Sequence, residues 1–381
     1  MILFRLELKK LLHCPALWGL FAVFLLYDGV IVWQSVGRQK EKIAEQYRIL
    51  QETDFTVPGE EAARSLAVSD NYRESEYGRF ILNYKGIYES FNFEEVSPEA
   101  RPEEWSAFQN RLMDRSAAMA SRVRQIRESG EDQNVFYPET IYRIYDSLFR
   151  NLFRSILLEI MILTVFTFLY LMDYERASGT EDIAFLGQKG RKLWAVKGAA
   201  ALCVSLLYAA LLLGLSLPLF FVFVPMKELW QTPISSFMMT EWTADGDIMP
   251  LISLAPLSLT AAMHLRFALL LLFILLTALF SAAFWLFLHS SFRAVILYGA
   301  GFLVLLVLPY FLPETESAGI LTELAYLTPV RLWLDSGKWF VFRNLITAYN
   351  GNELFGVSLW LLTASILCLI SVRRFIKRDC Q

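Results

Sequence analysis

The sequence predicts an all-α polytopic membrane protein with six transmembrane helices, and three observations predict it. The chain has 381 residues, of which 55% are hydrophobic, whereas soluble domains are about 45–50% apolar. The excess lies in six long apolar runs, each close to or above the ~20 residues that a helix needs to cross a bilayer. Lys and Arg outnumber Asp and Glu in the short segments on one side of these runs, as the positive-inside rule requires. A soluble domain can bury one such run in its core, but it does not need six.

The first element is an N-terminal amphipathic elbow helix over residues 1–15. Its apolar face consists of Phe4, Leu8, Leu11 and Leu12. Arg5 and Lys9 line the edge of that face, so we expect the helix to lie in the interface with its basic residues toward lipid headgroups. The alternative is that these residues extend the first span inward.

The other boundaries follow the apolar runs. The predicted spans are residues 16–36, 151–172, 198–225, 266–288, 293–312 and 354–372. The segments between them are an extracytoplasmic helical insert at 37–150, a cytoplasmic coupling loop at 173–197, outer loops at 226–265 and 313–353, and a tail at 373–381. Within the outer loops, Pro250 and Pro256 predict an interfacial or re-entrant segment rather than a seventh span. A second re-entrant segment is expected where Glu323, Pro329 and Arg331 interrupt an apolar stretch.

Charge sets the predicted orientation. The tail carries four basic residues (Arg373, Arg374, Lys377 and Arg378), whereas the insert and both outer loops are net acidic. Both termini are therefore predicted to be cytoplasmic. The predicted outer loops contain no cysteine and the chain contains no Asn-x-Ser/Thr acceptor, which suits a bacterial plasma membrane.

The insert is predicted to be helical. An apolar stripe recurs at helical steps and comprises Trp105, Phe108, Leu112, Met119, Val123 and Ile126. A further helix start is predicted at 138–140, where a proline precedes Glu and Thr. A helical stalk or hairpin standing on the first two spans fits this pattern.

Motifs of catalysis are absent from the sequence. It contains no Gly-x-x-x-x-Gly-Lys-Ser/Thr phosphate loop, no His-Glu-x-x-His and no Gly-x-Ser-x-Gly. Its three histidines are far apart, which argues against a metal site made from them. We therefore predict a chain that is not an enzyme, holds no cofactor or metal and binds no nucleic acid.

The most informative motif lies in the 173–197 loop. Its residues are Glu175 and Arg176, then Gly179 and Thr180, then Phe185, and finally Gly190, Arg191 and Lys192. A short amphipathic helix in such a loop can present apolar residues to a groove in a partner while its charges set the register. The alternative is that the basic residues only anchor the third span to anionic headgroups.

This order of residues resembles the cytoplasmic loop of the permease subunits of ABC-2 type ABC transporters. The same family is also resembled by the elbow helix, the six spans and a Leu-Thr-Pro at 327–329. The large insert is a departure, because many members of the family have only a short loop between the first two spans. The resemblance implies that the loop docks on a separate ABC ATP-binding subunit, which would hold ATP and magnesium. It also implies a second permease copy or a sister permease, and export of a peptide, lipid-like or other amphipathic substrate.

Two acidic residues lie inside predicted spans. Asp28 and Glu159 both fall roughly 18–20 Å from the cytoplasmic ends of their helices at ~1.5 Å per residue. Intramembrane carboxyl groups are costly and usually face a cavity or a partner. They are candidates for an acidic vestibule on the substrate pathway. The alternative is that they pair with Arg154, Arg266 or backbone groups near the outer interface.

The sequence is also compatible with other functions. A membrane sensor with an extracytoplasmic helical domain predicts a partner without ATPase activity. An intramembrane enzyme would need paired catalytic groups at one depth, and only the two buried acids qualify. A secondary transporter is also possible, although the spans lack obvious inverted repeats.

Overall fold

The computed structural model of this chain is nearly all helical. It describes residues 2–52, 60–83, 107–131, 143–180, 193–224, 228–237, 240–242, 248–250, 253, 256–311, 325, 327–341 and 351–378. Within these residues, six helices are long and apolar enough to cross a membrane. The prediction of a helical chain with six membrane-spanning candidates is confirmed at this level.

The helices are numbered here in chain order. In the first half of the chain they are α1 (Ile2–Leu12), α2 (Pro15–Ser35), α3 (Lys40–Glu52), α4 (Glu60–Ala67), α5 (Tyr72–Asn83) and α6 (Ala107–Ser129). In the second half they are α7 (Arg154–Ala177), α8 (Leu193–Phe223), α9 (Leu259–Leu288), α10 (Ser291–Phe311), α11 (Pro329–Leu334) and α12 (Asn352–Arg378). A two-stranded antiparallel ribbon joins β1 (Thr240–Trp242) to β2 (Ile248–Pro250).

Several of these helices are longer than the spans predicted from hydropathy. A π-helical turn, Asp146–Phe153, leads directly into α7, and α7 continues to Ala177, past the predicted limit of 172. Helix α9 begins at Leu259, where the Ser258 hydroxyl caps it by accepting a hydrogen bond from the Ala261 N–H at 3.2 Å. Polar residues can continue a helix beyond the apolar core, so hydropathy marks the buried length rather than the helix ends.

The bundle is built around α7, α8 and α9. Helix α9 packs against α12 and α7, and α7 packs against α8. Helix α1 packs across α8 and the end of α7. Its predicted apolar face is turned toward the protein core, and the exposed apolar residues of α1 are instead Ile2 and Leu6. We call the end of the bundle that holds α1, Ala177 and Leu193 the basic face.

The described part of the insert contains α3 to α6. Helices α4 and α5 form a hairpin in which Gly78 lies against the backbone of Ala67 and Ala63. A β-carbon at Gly78 would lie 2.2 Å from the Ala67 nitrogen. The predicted helix start at 138–140 lies outside the described residues.

Candidate functional site at the basic face

The predicted coupling segment begins as the last turn of α7. Glu175 and Arg176 are helical, and the helix ends where Gly179 takes a positive φ of 68°. The N–H of Thr180 donates to the Glu175 carbonyl at 2.8 Å, which closes the end of the helix. A left-handed glycine that follows a helix end directly is a common stop signal. Phe185, Gly190, Arg191 and Lys192 lie outside the described residues.

Glu175 lies in a cluster of charges that joins three helices. Its Oε1 accepts a hydrogen bond from Lys10 Nζ of α1 at 2.8 Å, and its Oε2 is paired with Lys197 of α8. Lys10 also binds Glu7 at 2.8 Å within α1. Lys197 donates in addition to the carbonyl of Leu171 in α7 at 2.8 Å. The cluster therefore ties the elbow helix, the end of α7 and the start of α8 together.

This cluster is buried except for Lys10, whose side chain is 23% exposed. Glu175 is 8% exposed, Lys197 4% and Glu7 2%. Removing one partner of a buried ion pair costs about 3–5 kcal/mol, because it leaves an uncompensated charge behind. Glu175 thus has partners inside its own chain, and the structure gives it the position of a joint between helices.

Arg176 points to another helix. It is exposed, and its guanidinium donates to the carbonyl of His289, the left-handed residue at the C-terminal end of α9. The His289 ring stacks on Phe375 of α12, with ring centroids 5.3 Å apart. The end of α7 is therefore also linked to α9 and, through His289, to α12.

An open groove lies beside this cluster, between α7 and α10. Its volume is about 650 Å³. Phe166, Leu169, Phe292 and Val295 line its apolar part, and Asp173 lies at its edge. The Ser291 hydroxyl donates to the Leu169 carbonyl at 2.8 Å and joins the two helices at this point. The groove is open and apolar, like the membrane-facing sides of the two helices that form it.

The two intramembrane acids come together in the bundle. Asp28 is 0% exposed and Glu159 is 3% exposed. Asp28 accepts a hydrogen bond from Ser216 of α8 at 2.6 Å, and Glu159 accepts one from Ser155 at 2.9 Å. The carboxyl groups are near enough to interact electrostatically. Among the described residues, neither is paired with Arg154, Arg266 or any other basic side chain.

Two lysines and one arginine matter more in the structure than the sequence indicated. Lys10 was not expected to have a role and Lys197 was expected only as a possible anchor to lipid headgroups, yet both bind Glu175. Arg266 is completely buried and lies 4.1 Å from the centre of the Phe149 ring. It was expected only as a possible partner of the buried acids. It is the single charged residue of the 30-residue helix α9, and a lone cation in an apolar run of that length is the signal that indicates a role of its own.

Comparison of this chain with protein-family models, with curated proteins and with solved structures found no match. Function is therefore inferred from the residues and their geometry.

Proposed function

We propose that this chain is the permease subunit of an ATP-driven exporter of the ABC-2 type. In this proposal it lies in a bacterial plasma membrane with both termini in the cytoplasm. A separate ABC ATP-binding subunit, which holds ATP and magnesium, docks on the 173–197 loop. A second permease copy or a sister permease completes the translocation path for a peptide, lipid-like or other amphipathic substrate. The chain itself performs no hydrolysis.

The observation that carries this proposal is the buried cluster around Glu175. A loop that docks on a motor must transmit force to the membrane helices, and transmission needs a stiff joint at the base of the loop. Glu175 provides such a joint because it binds α1 through Lys10 and α8 through Lys197. A displacement of the loop would then move α1, α7 and α8 together.

The elbow helix has a matching role. Its face with Glu7 and Leu11 is buried against the bundle, while Arg5 and Lys9 are exposed. Exposed basic residues at a membrane face are attracted by anionic headgroups, at about 1 kcal/mol for each residue near the surface. Helix α1 would thus stay at the membrane surface and move along it together with Glu175, to which Lys10 binds it.

The buried acids supply a candidate for the substrate pathway. Asp28 and Glu159 have no basic partner among the residues that the structure describes, so a cationic group of a substrate would compensate them. Ionised carboxyl groups without a partner are costly inside a membrane. We therefore assign to them the recognition of a positively charged group on an amphipathic substrate.

The test separates docking from transmission. The chain is purified with its ATP-hydrolysing partner, and Arg191→Glu is compared with Glu175→Gln. We expect Arg191→Glu to weaken the association, since residue 191 belongs to the predicted docking surface. We expect Glu175→Gln to keep the partner bound and to uncouple its ATP hydrolysis from the permease, since Glu175 is paired within the chain.

Arg64, an exposed residue of the insert, provides the matched control for the charge change. Arg64→Glu should leave both association and hydrolysis unchanged. Absence of any ATP-hydrolysing partner in the wild-type preparation would contradict the proposal. Equal loss of association in both loop variants would contradict the separate roles assigned to the two residues.

A membrane sensor is the second candidate, and one observation favours it. The buried Arg122–Glu131 ion pair at the end of α6 is hydrogen-bonded to Ser235 and Ser253 in the connection between α8 and α9. A ligand on the insert could therefore act on the spans directly. This candidate predicts a partner at the basic face that does not hydrolyse ATP.

A further inference from the structure

A buried ion pair within the insert is hydrogen-bonded to the connection between α8 and α9. Arg122 Nη2 lies 2.6 Å from Glu131 Oε2, and the two side chains are 7% and 9% exposed. The Ser235 hydroxyl donates to the same Glu131 oxygen at 2.7 Å, and Arg122 Nε donates to the Ser253 carbonyl at 2.9 Å. Because each charge is buried, either one would be costly without the other. The pair therefore fixes α6 to Ser235 and Ser253.

Ser253 connects this pair to a second buried group. It forms an isolated antiparallel bridge with Val341. Phe340, the residue before Val341, has a φ of +70°, which is rare for a bulky side chain. Its N–H donates to Glu353 Oε1 of α12 at 2.7 Å. A backbone of this kind persists only where the surrounding structure holds it, and here it is held by Ser253 on one side and Glu353 on the other.

The second group surrounds Arg266 of α9. The guanidinium carbon lies 5.1 Å from the centre of the Phe340 ring and 4.1 Å from that of Phe149. Arg266 donates to the Tyr145 hydroxyl at 3.0 Å, and it interacts electrostatically with Glu353. Its Nε and Nη1 have no hydrogen-bond partner among the described residues. The aromatic rings and Glu353 thus hold a fully buried cation, and Phe340 is common to both groups.

We propose that the Arg122–Glu131 pair is a latch that holds the Arg266 group closed. The connection runs through the bridge between Ser253 and Val341 and through the constrained Phe340. When the latch opens, the bridge is released, Phe340 leaves its left-handed conformation, and α9 and α12 separate at Arg266 and Glu353.

A ligand or protein that binds the insert would act on the spans by this route. The inference goes beyond the proposed function, because it requires neither a particular substrate nor an ATPase. It requires that the Ser253–Val341 bridge and Phe340 have two alternative arrangements. The equilibrium between these arrangements must depend both on the Arg122–Glu131 pair and on the Arg266 group.

The test uses the full chain purified in mild detergent, with a reporter cysteine at the bridge. Val341→Cys places a thiol at a position that is 1% exposed. Cys14, which is 4% exposed and lies at the basic face, is kept to report general unfolding. The other three native cysteines are replaced by alanine. The rate of maleimide labelling is then measured at both thiols.

The latch variant is Glu131→Gln, which preserves the size of the side chain and removes its charge. Glu60→Gln is the matched control, since Glu60 forms an exposed pair with Arg64 in the same insert. We expect Glu131→Gln to raise labelling at residue 341 at least about fivefold, a change within reach of coupling through packed residues. Labelling of Cys14 should stay unchanged, and the control should behave as the parent chain does.

The proposal would be overturned if residue 341 were labelled no faster in Glu131→Gln than in Glu60→Gln. If Glu131→Gln also exposes Cys14, the chain has unfolded generally, and the milder Ser235→Ala is judged by the same two criteria. Coupling is reciprocal, so Glu353→Gln should in turn speed the labelling of a Ser253→Cys reporter. The two groups would be independent if Glu131→Gln left labelling at residue 341 unchanged and Glu353→Gln left labelling at residue 253 unchanged.

Discussion

The charge cluster at the basic face gives the sharpest energetic prediction. Lys197→Met removes the α8 partner of Glu175 and keeps an unbranched side chain that is one atom shorter. The loss of one partner from a buried ion pair costs about 3–5 kcal/mol when nothing compensates the remaining charge. Here Lys10 still lies 2.8 Å from Glu175, so we expect about 2–3 kcal/mol, below that uncompensated range.

The companion variants isolate the pair. In Glu175→Gln, Lys197 keeps the Leu171 carbonyl and Lys10 keeps Glu7, so the cost should be smaller. The double variant Glu175→Gln with Lys197→Met removes both charges and should be more stable than Lys197→Met alone. The resulting double-mutant cycle should give a coupling energy of about 2 kcal/mol, within the range for residues in one salt-bridge network.

Cys14 provides the assay. It is buried at the junction of α1 and α2, and its N–H donates to the Leu11 carbonyl at 3.1 Å. Detachment of α1 exposes it, so its alkylation rate in detergent reports the opening equilibrium when the other native cysteines are absent. A destabilisation of 2 kcal/mol corresponds to roughly a 30-fold faster rate.

The control for this assay is Arg64→Met, which breaks an ion pair with side chains 70% and 73% exposed. Exposed pairs contribute about 0–1 kcal/mol, and this one lies within α4 of the insert, so the rate at Cys14 should not change. A rate for Lys197→Met within about threefold of the parent, that is, less than ~0.7 kcal/mol, would refute the account of Glu175 as a joint.

Three further predictions concern other parts of the chain. Asp28→Asn combined with Glu159→Gln should abolish export of a cationic substrate and raise thermal stability, because uncompensated buried acids are removed; unchanged transport in vesicles would contradict the assigned role. Burial raises the pKa of Glu131, but hydrogen bonds from Arg122 and Ser235 and the Arg122 charge outweigh it and lower the pKa below its ordinary value of 4.5. The stabilisation by this pair is therefore present above pH ~4.5 and lost as pH falls below that value. Because the thiolate is the reactive form, labelling at the 341 reporter is divided by the labelling rate of the unfolded chain at the same pH; this ratio should be flat from pH 8 to 5, and a rise already at pH 6 would contradict the account. Gly78→Ala should separate α4 from α5 and increase proteolysis of the insert. Gly130→Asn, at a left-handed position where an added β-carbon would meet nothing within 4 Å, should leave the digestion pattern unchanged.

The six membrane helices could be predicted because apolar length is a local property of the sequence. The run from 198 to 225 contains no charged residue, and it forms most of α8. The ends of the helices were harder to predict from the sequence. Glu175 was expected in a loop, but it belongs to α7, because the residues that follow the apolar core continue the hydrogen-bonded helix until Gly179 ends it.

The partners of the charged residues could not be predicted from the sequence. Lys197 was considered as an anchor to lipid headgroups, yet it is buried against Glu175, 22 residues earlier in the chain. That contact depends on how α7 and α8 cross, which no periodicity reveals. Arg266 was considered as a partner of the buried acids, whereas aromatic rings and Tyr145 surround it. Both cases depend on tertiary packing.

The central claim is that a separate ATPase drives this membrane chain. The most direct test is affinity purification of the tagged chain from the membranes of its own cell in mild detergent, with mass identification of bound proteins and an assay of ATP hydrolysis. The account predicts a stoichiometric nucleotide-binding chain that hydrolyses ATP and is released by Arg191→Glu. Recovery of the chain alone, or with a partner that does not hydrolyse ATP, would contradict it.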